Sequence, residues 1–381
     1  MKLSLISVLA VFLAFCSTGV KNDLTKAAGE GSPVAFADYM RLSGDTLVSF
    51  NSWQGASSEK YLLVPRDCTE LLSSDIMAIP VPIESCVCMS TTYLPAIQML
   101  GKEDAVKAVS GTRFIYDSLY RSRADRGLIA DIGAETAPDY ELILSLKADV
   151  VFAYGIEGSD NSYIEKLRKL GQKVLVINDY LESSVVGRLE YLKLFGTLLG
   201  RKDTADSLFN LKKDRYHDLA SRYSAMAGDN RAADLQVLVN MPFKGIWYVP
   251  GKDSYMYELV TAAGGSILGA SDGESASSRE SLERMYTLAK KADVWIHLNS
   301  ARTAGEVVSE NPMFKNIPAV KRGALYNNVK RVTPYGGSDY WESGAVYPEE
   351  VLMDLIQVLH PEIAEEISPG RDLKYYIKLS D

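Results

Sequence analysis

The chain has 381 residues, 47% of them hydrophobic and 24% charged. That is enough to bury a full core and more than one ordinary domain needs, so two lobes are the first expectation. A formal net charge of -8, with no cluster of lysines and arginines, argues against a nucleic-acid partner, because phosphate contacts need a basic face.

The opening segment "MKLSLISVLAVFLAFC" places Lys2 before a hydrophobic run from Leu3 to Phe15, then Cys16. The run is short for a membrane span and reads as an export signal over residues 1–16. Leu13-Ala14-Phe15-Cys16 resembles a bacterial lipoprotein signal, in which the cysteine is lipidated and becomes the new N-terminus. Phe15 departs from the small residue that pattern prefers, and an ordinary cleaved signal that happens to contain a cysteine is the alternative. Export to the periplasm or cell envelope follows on both readings, with a membrane anchor only on the first. Residues 17–65 read as a tether, "STGVKNDLTKAAGEGSP", followed by a small β-rich extension around "LVSFNSWQGASSEKYLLVP". No second apolar segment is long enough to span a bilayer.

From there strands and helices alternate. "DIMAIPVPIESCVCMS" predicts a strand, "TYLPAIQMLGKED" a helix, "AVKAVSG" a strand and "APDYELILSLKA" a helix. "DVVFAYG", "NSYIEKLRKLGQ" and "KVLVIND" continue as strand, helix and strand. Such alternation implies a parallel sheet covered by helices on both faces, here a first α/β lobe over residues 66–183. Cys86 and Cys88 share one face of their strand. Cys-x-Cys without nearby histidines is a weak metal signal, so no metal site is assigned and buried free thiols are the reading. In an exported chain a disulfide from Cys68 to one of the two is the alternative.

Residues 184–230 read as connecting helices. Val186, Leu189, Leu192, Phe195 and Leu199 recur at helical spacing before Gly200 breaks the pattern. "KDTADSLFNLKKDRYHDLASRYSAMA" then predicts a helix of about 26 residues, long enough to cross roughly 40 Å as a strut. A second α/β lobe follows over residues 231–381. It opens with the strand "LQVLVNMP" and continues with "GIWYVPGKDSYMYELVTAAGG", read as a turn and a helix. "SLERMYTLAKKADVWIHLN" gives a helix and a strand, "NPMFKNIPAV" a helix and "GALYNNVK" a strand. The last long helix, "YPEEVLMDLIQVLHPEI", lines Leu352, Leu355, Ile356 and Leu359 along one side, the face with which it packs back.

Two segments echo each other. "PDYELILSLKADVVFAYG" and "SLERMYTLAKKADVWIHLN" each begin near a glutamate, run through a short helix and pass Ala-Asp into a strand. With "KAVSGTRFIYD", "GIWYVPGKDSYMYELVTAAGG" and "YWESGAVYPEEVLMDLIQVLHPEI" they form five blocks in an order that resembles the substrate-binding proteins of ABC importers, in the cluster that carries ferric siderophores, haem and cobalamin. The likeness covers roughly residues 60 to 365. It implies two doubly wound α/β lobes joined by a long connecting α-helix, a ligand cleft between them, small lobe motions and a monomer. "LESSVVGRLEYLKLF" is similar to a segment in a subset of these proteins.

The resemblance further implies that each lobe offers a glutamate to arginines on the permease transmembrane subunits, here Glu141 and Glu283, with Glu280 as the alternative in the second lobe. Read from the residues alone, both also fit acidic side chains favoured in the first turn of a helix. Ligand-facing candidates on loops after strands are Tyr93, Arg113, Phe114, Tyr116, Tyr154, Trp247, Tyr248, Asn299, Tyr335, Tyr340 and Trp341. Core packing is the reading for Tyr154 and Tyr340, whereas Trp247 and Trp341 sit in polar, glycine-bearing stretches. Arg113, Lys244 or Arg331 would neutralise an anionic ligand, and aromatic faces would pack a bulky metal complex.

Rival functions lack their motifs. The sequence has no Gly-x-Gly-x-x-Gly loop, no phosphate loop and no nucleophile motif near His217, His297 or His360. Three scattered histidines are too few for a bare metal-ion carrier. The expectation is a binding protein without catalysis or resident cofactor, capturing an iron chelate, foremost a ferric siderophore, with haem or cobalamin as alternatives and an exported α/β enzyme as a more distant one.

Overall fold

A computed structural model describes residues 34–49, 58–66, 77–134, 137–155, 161–228 and 235–381. The export signal with Cys16, the tether before residue 34 and Cys68 lie outside the described residues. Four strands come first: β1 (Met40–Ser43), β2 (Thr46–Ser49), β3 (Glu59–Pro65) and β4 (Met77–Val81). They pair in chain order, antiparallel except for β3 with β4. The stretch read as one strand over "DIMAIPVPIESCVCMS" is therefore two. Pro80 and Pro82 have no backbone donor with which to continue a ladder, so the small sheet ends at Val81 and β5 (Cys86–Cys88) opens the next.

The first lobe is built on β5, β6 (Val106–Val109), β7 (Ala130–Asp131), β8 (Val150–Ala153) and β9 (Val174–Val176). All are parallel, in the order β7-β6-β5-β8-β9. Helices α1 (Leu94–Met99), α2 (Ser118–Asp125), α3 (Tyr140–Leu146) and α4 (Ser162–Lys169) lie between the strands. Strand parity sorts the side chains: Cys86, Cys88, Val150 and Phe152 enter one core, Val87, Val151 and Ala153 the core of the opposite face. Cys86 and Cys88 are buried free thiols on a shared face.

Three helices connect the lobes: α5 (Val185–Leu189), α6 (Tyr191–Leu198) and, after the turn at Gly200, α7 (Lys202–Ala227). The 26 residues of α7 span roughly 40 Å. Its buried positions, Ala205, Phe209, Lys212, Tyr216, Leu219 and Tyr223, step alternately by four and three, which draws one narrow stripe along a polar helix.

The second lobe contains β10 (Leu235–Val239), β11 (Ile246–Val249), β12 (Gly265–Ile267), β13 (Ser278–Ser281), β14 (Val294–Ile296), β15 (Leu325–Asn327) and β16 (Ile377–Lys378). Its main sheet runs β12-β10-β14-β15-β16, parallel except at β16, while β11 and β13 form a separate antiparallel pair. Helices α8 (Tyr255–Ala262), α9 (Leu282–Ala289), α10 (Ala304–Glu310) and α11 (Pro318–Lys321) lie between strands. The chain then folds α12 (Asp339–Ser343), α13 (Pro348–Leu359) and α14 (Pro361–Ile367). Leu352, Leu355, Ile356 and Leu359 of α13 are all buried, and α13 and α14 pack back against α7. The architecture is two doubly wound lobes joined by a long helix. Among the described residues no helix is long and apolar enough to cross a membrane.

Candidate functional site

In an open α/β sheet, ligands bind beyond the carboxyl ends of the strands, where the strand order reverses. The first sheet reverses between β5 and β8, the second between β10 and β14. Tyr154 follows β8, Asn240 follows β10, and His297 to Asn299 follow β14. Asn240, Lys244, His297 and Asn299 all hold positive φ, between 50° and 65°, and only one other non-glycine residue among those described does so. Such a concentration of left-handed backbone outside glycine is uncommon and sets the loops after β10 and β14 apart.

Across the lobes, two loops converge. Arg113, after β6, places its guanidinium 4.8 Å from the Phe114 ring centroid and 6.0 Å from that of Tyr335 in the second lobe. Tyr116 lies under Arg331 at 4.8 Å, and Arg331 is paired with Asp339 at 2.5 Å. Burial lowers the Arg331 pKa, but the Asp339 carboxylate outweighs it and the guanidinium is held above its usual range. Tyr335 is 64% exposed and Trp341 43%, the latter edge-on to Tyr340 with centroids 4.7 Å apart. Asn299 and Lys244 are exposed, Tyr248 half-buried. Phe243, 60% exposed beside Lys244, was not singled out from sequence, although an aromatic in the Met-Pro-Phe-Lys-Gly turn after a strand is a legible signal.

Tyr248 lies in β11 and Trp341 in α12, neither on the loop expected from sequence, and two further assignments are corrected. Trp247 is not on a loop: it lies in β11, an inward-facing position of the alternation, fully buried, with Nε1 donating to the Val239 carbonyl at 2.8 Å and its ring stacked on Trp295. Tyr93 is likewise core, 3% exposed, donating its hydroxyl to the Ala153 carbonyl at 3.1 Å. Neither presents surface to a ligand. Tyr340 is buried as expected, packed against His297, Tyr375 and Tyr376, while Tyr154 is half-buried.

Glu141 and Glu283 occupy equivalent positions. Each is the exposed second residue of a short helix, α3 capped by Asp139 and α9 capped by Ser281, that leads into a switch-point strand, β8 or β14. Among the described residues neither forms an ion pair. Glu280 differs: it sits in β13, bonded to Arg284 at 3.0 Å with its side chain 15% exposed. The exposed carboxylate of the second lobe is thus Glu283.

In "LESSVVGRLEYLKLF" Gly187 and Arg188 each meet another part of the chain. A β-carbon at Gly187 would lie 2.8 Å from the Phe36 carbonyl oxygen, so only glycine lets α5 meet the N-terminal segment this closely. Glu190 accepts the Ala35, Phe36 and Ala37 amides, and Glu182 those of Asp38 and Tyr39. Arg188 pairs with Asp179 at 3.1 Å and covers the Tyr255 ring of the second lobe at 4.5 Å. Burial pulls its pKa down, but Tyr255 and Asp179 more than reverse this.

His297 is buried, with Nε2 2.6 Å from the Tyr376 hydroxyl oxygen. Burial pushes the imidazole down to about 3, which keeps it neutral in the folded chain. Between its ordinary value of 6.5 and about 3, the unfolded chain takes up a proton that the folded chain refuses, and folding weakens with acid. Glu182 and Glu342 are displaced oppositely, burial raising both carboxyls to about 7 against amide donors that pull them down. Comparison with His297→Asn cancels their effect. In urea unfolding, the stability advantage of wild type over that variant is expected to shrink by about 1.4 kcal/mol per pH unit through the window; a pH-independent difference would contradict the assignment.

Among the described residues no group of three or more His, Cys, Asp or Glu is arranged to hold a metal ion. A family model described as periplasmic binding protein matches residues 86–330. An uncharacterized lipoprotein of Methanocaldococcus jannaschii is 25% identical over 340 residues, 85% of this chain and 77% of its own length. In structure the chain is similar to a periplasmic heme binding protein of Pseudomonas aeruginosa, with a TM-score of 0.56 at 16% identity over 74% of this chain and 94% of that one. It is also similar to the triscatecholate siderophore binding protein of Bacillus subtilis in complex with ferri-bacillibactin, with a TM-score of 0.54 at 15% identity over 74% and 94%.

Proposed function

Because the chain belongs to the periplasmic binding protein family, we propose that it is the exported substrate-binding component of an ABC importer, that it captures a metal complex between its lobes, and that it delivers the complex to a permease. The observation that carries the ligand class is the rim formed across the lobes by Arg113, Phe114 and Tyr335, with the exposed Trp341 in the same second-lobe segment as Tyr335 and the exposed Phe243 and Lys244 in the loop after β10. Aromatic faces with cationic neighbours suit a bulky anionic chelate, and a ferric siderophore is the first assignment, with haem second and cobalamin third. The names of the heme- and siderophore-binding structural neighbours support the first two. Glu141 and Glu283 are the docking carboxylates, and Cys16 is the lipid anchor, in keeping with the lipoprotein relative.

Tryptophan fluorescence tests the reading. Titration with a panel of ferric siderophores, haemin and cyanocobalamin is expected to show submicromolar quenching by one class, and the quenching should diminish in Trp341→Phe. Silence across the panel would remove the metal-complex assignment.

A further inference from the structure

The segment from Arg331 to Glu342 of the second lobe grips the first lobe at residues 114–117. Glu342, 1% exposed in α12, accepts the Tyr116 amide on one carboxylate oxygen and the Asp117 amide on the other, each at 2.9 Å. Asp117 is the N-cap of α2, whose side chain accepts the Leu119 and Tyr120 amides, so the grip falls on a rigid helix start and not on a pliant loop. Five residues before Glu342, a β-carbon at Gly337 would collide with the Phe114 carbonyl oxygen, so glycine alone permits the contact. Arg331 over Tyr116 closes the third point. The residues so fastened include Arg113 and Phe114 on one side and Tyr335 and Trp341 on the other.

Resting on the binding reading above, we propose that Glu342 and Gly337 form an interlobe latch: Glu342 is a positioning residue that holds the two halves of the ligand rim in register, and the latch must open for cargo to leave. A buried carboxylate with both oxygens engaged by the opposite lobe has no role within its own lobe that would require this geometry. Separating the lobes exchanges both of these hydrogen bonds for water together, which gives the joint two discrete states, engaged and released.

Hydrogen exchange on the full-length chain at pH 8, resolved to single amides, tests this without any ligand. In Glu342→Ala, exchange at Tyr116 and Asp117 is expected to accelerate roughly 10- to 100-fold, with protection in β8 and β14 unchanged and a larger radius of gyration by X-ray scattering. Glu342→Gln, with one acceptor oxygen, should protect one of the two amides and not the other, a split that general loosening would not produce. Unchanged exchange at both amides in a folded Glu342→Ala overturns the latch. Should that variant not fold, Gly337→Ala keeps the carboxylate but forces the loops apart. It must then show the same local acceleration, and wild-type exchange there overturns the proposal. The outcome is separable from the import reading: a latch that opens as expected in a protein that binds no metal complex would leave the latch standing and remove the cargo assignment alone.

Discussion

Reversing the charge of Glu141 and Glu283 together, as Glu141→Lys and Glu283→Lys, is expected to reduce permease-dependent uptake to background while leaving cargo affinity within about twofold of wild type. The two carboxylates stand exposed at the same helical position of each lobe. Carboxylates that meet arginines steer encounter and fix orientation, and like charges brought together cost several kcal/mol, so a reversal converts each attraction to a repulsion. Each single variant is expected to be intermediate, because one lobe still docks. Uptake in cells, with binding measured on the purified chain, checks the prediction. A loss of cargo binding in the double variant would place these residues at the ligand and withdraw the docking assignment. Glu280→Lys should disturb β13 through its bond to Arg284 and serves as the control.

Asp354→Ala is expected to destabilise the chain by about 3–5 kcal/mol in urea unfolding. Asp354 lies in the middle of α13, wholly buried, and accepts the Lys374 amide at 2.8 Å, the Tyr375 amide at 2.6 Å and the Tyr376 amide at 3.4 Å. Arg371 donates to it at 2.7 Å. Removing the carboxylate strands the buried Tyr375 and Tyr376 amides and takes one of the partners of Arg371, which keeps Glu350. Tyr375 and Tyr376 pack on Tyr340, and Tyr376 on His297, so the same change loosens the wall behind Trp341. A loss below 1 kcal/mol would show that water replaces the carboxylate and that this network is not a determinant of the lobe.

Much of the fold was legible because it depends on local periodicity. The apolar runs of β8 and β9, the length of α7 and the Leu352, Leu355, Ile356, Leu359 face of α13 each follow from geometry that operates within a few residues, and the structure buries the runs and that face. The equivalence of Glu141 and Glu283 was also visible, as a repeated helix entering a repeated strand. The rim was only half legible. Arg113, Phe114, Tyr335 and Trp341 were identifiable as candidates, although Trp341 lies in α12 and not on a loop, but nothing local distinguished them from Trp247 and Tyr93, which the core absorbs.

The sequence by itself determined the alternation of strand and helix, the faces of the long helices and the pairing of one acidic position per lobe, since each is a matter of spacing along the chain. Tertiary structure alone decided three things. Trp247 became core because β11 finds its partner β13 some thirty residues away, and the parity of that pairing points it inward. Asp354, which reads as the polar side of an amphipathic helix, became buried because residues 371–376 return to supply donors. Glu342 came to bridge the lobes because the segment it must meet lies 226 residues earlier. A hydrogen bond across such a distance leaves no periodic trace, and only the assembled lobes bring its two ends together.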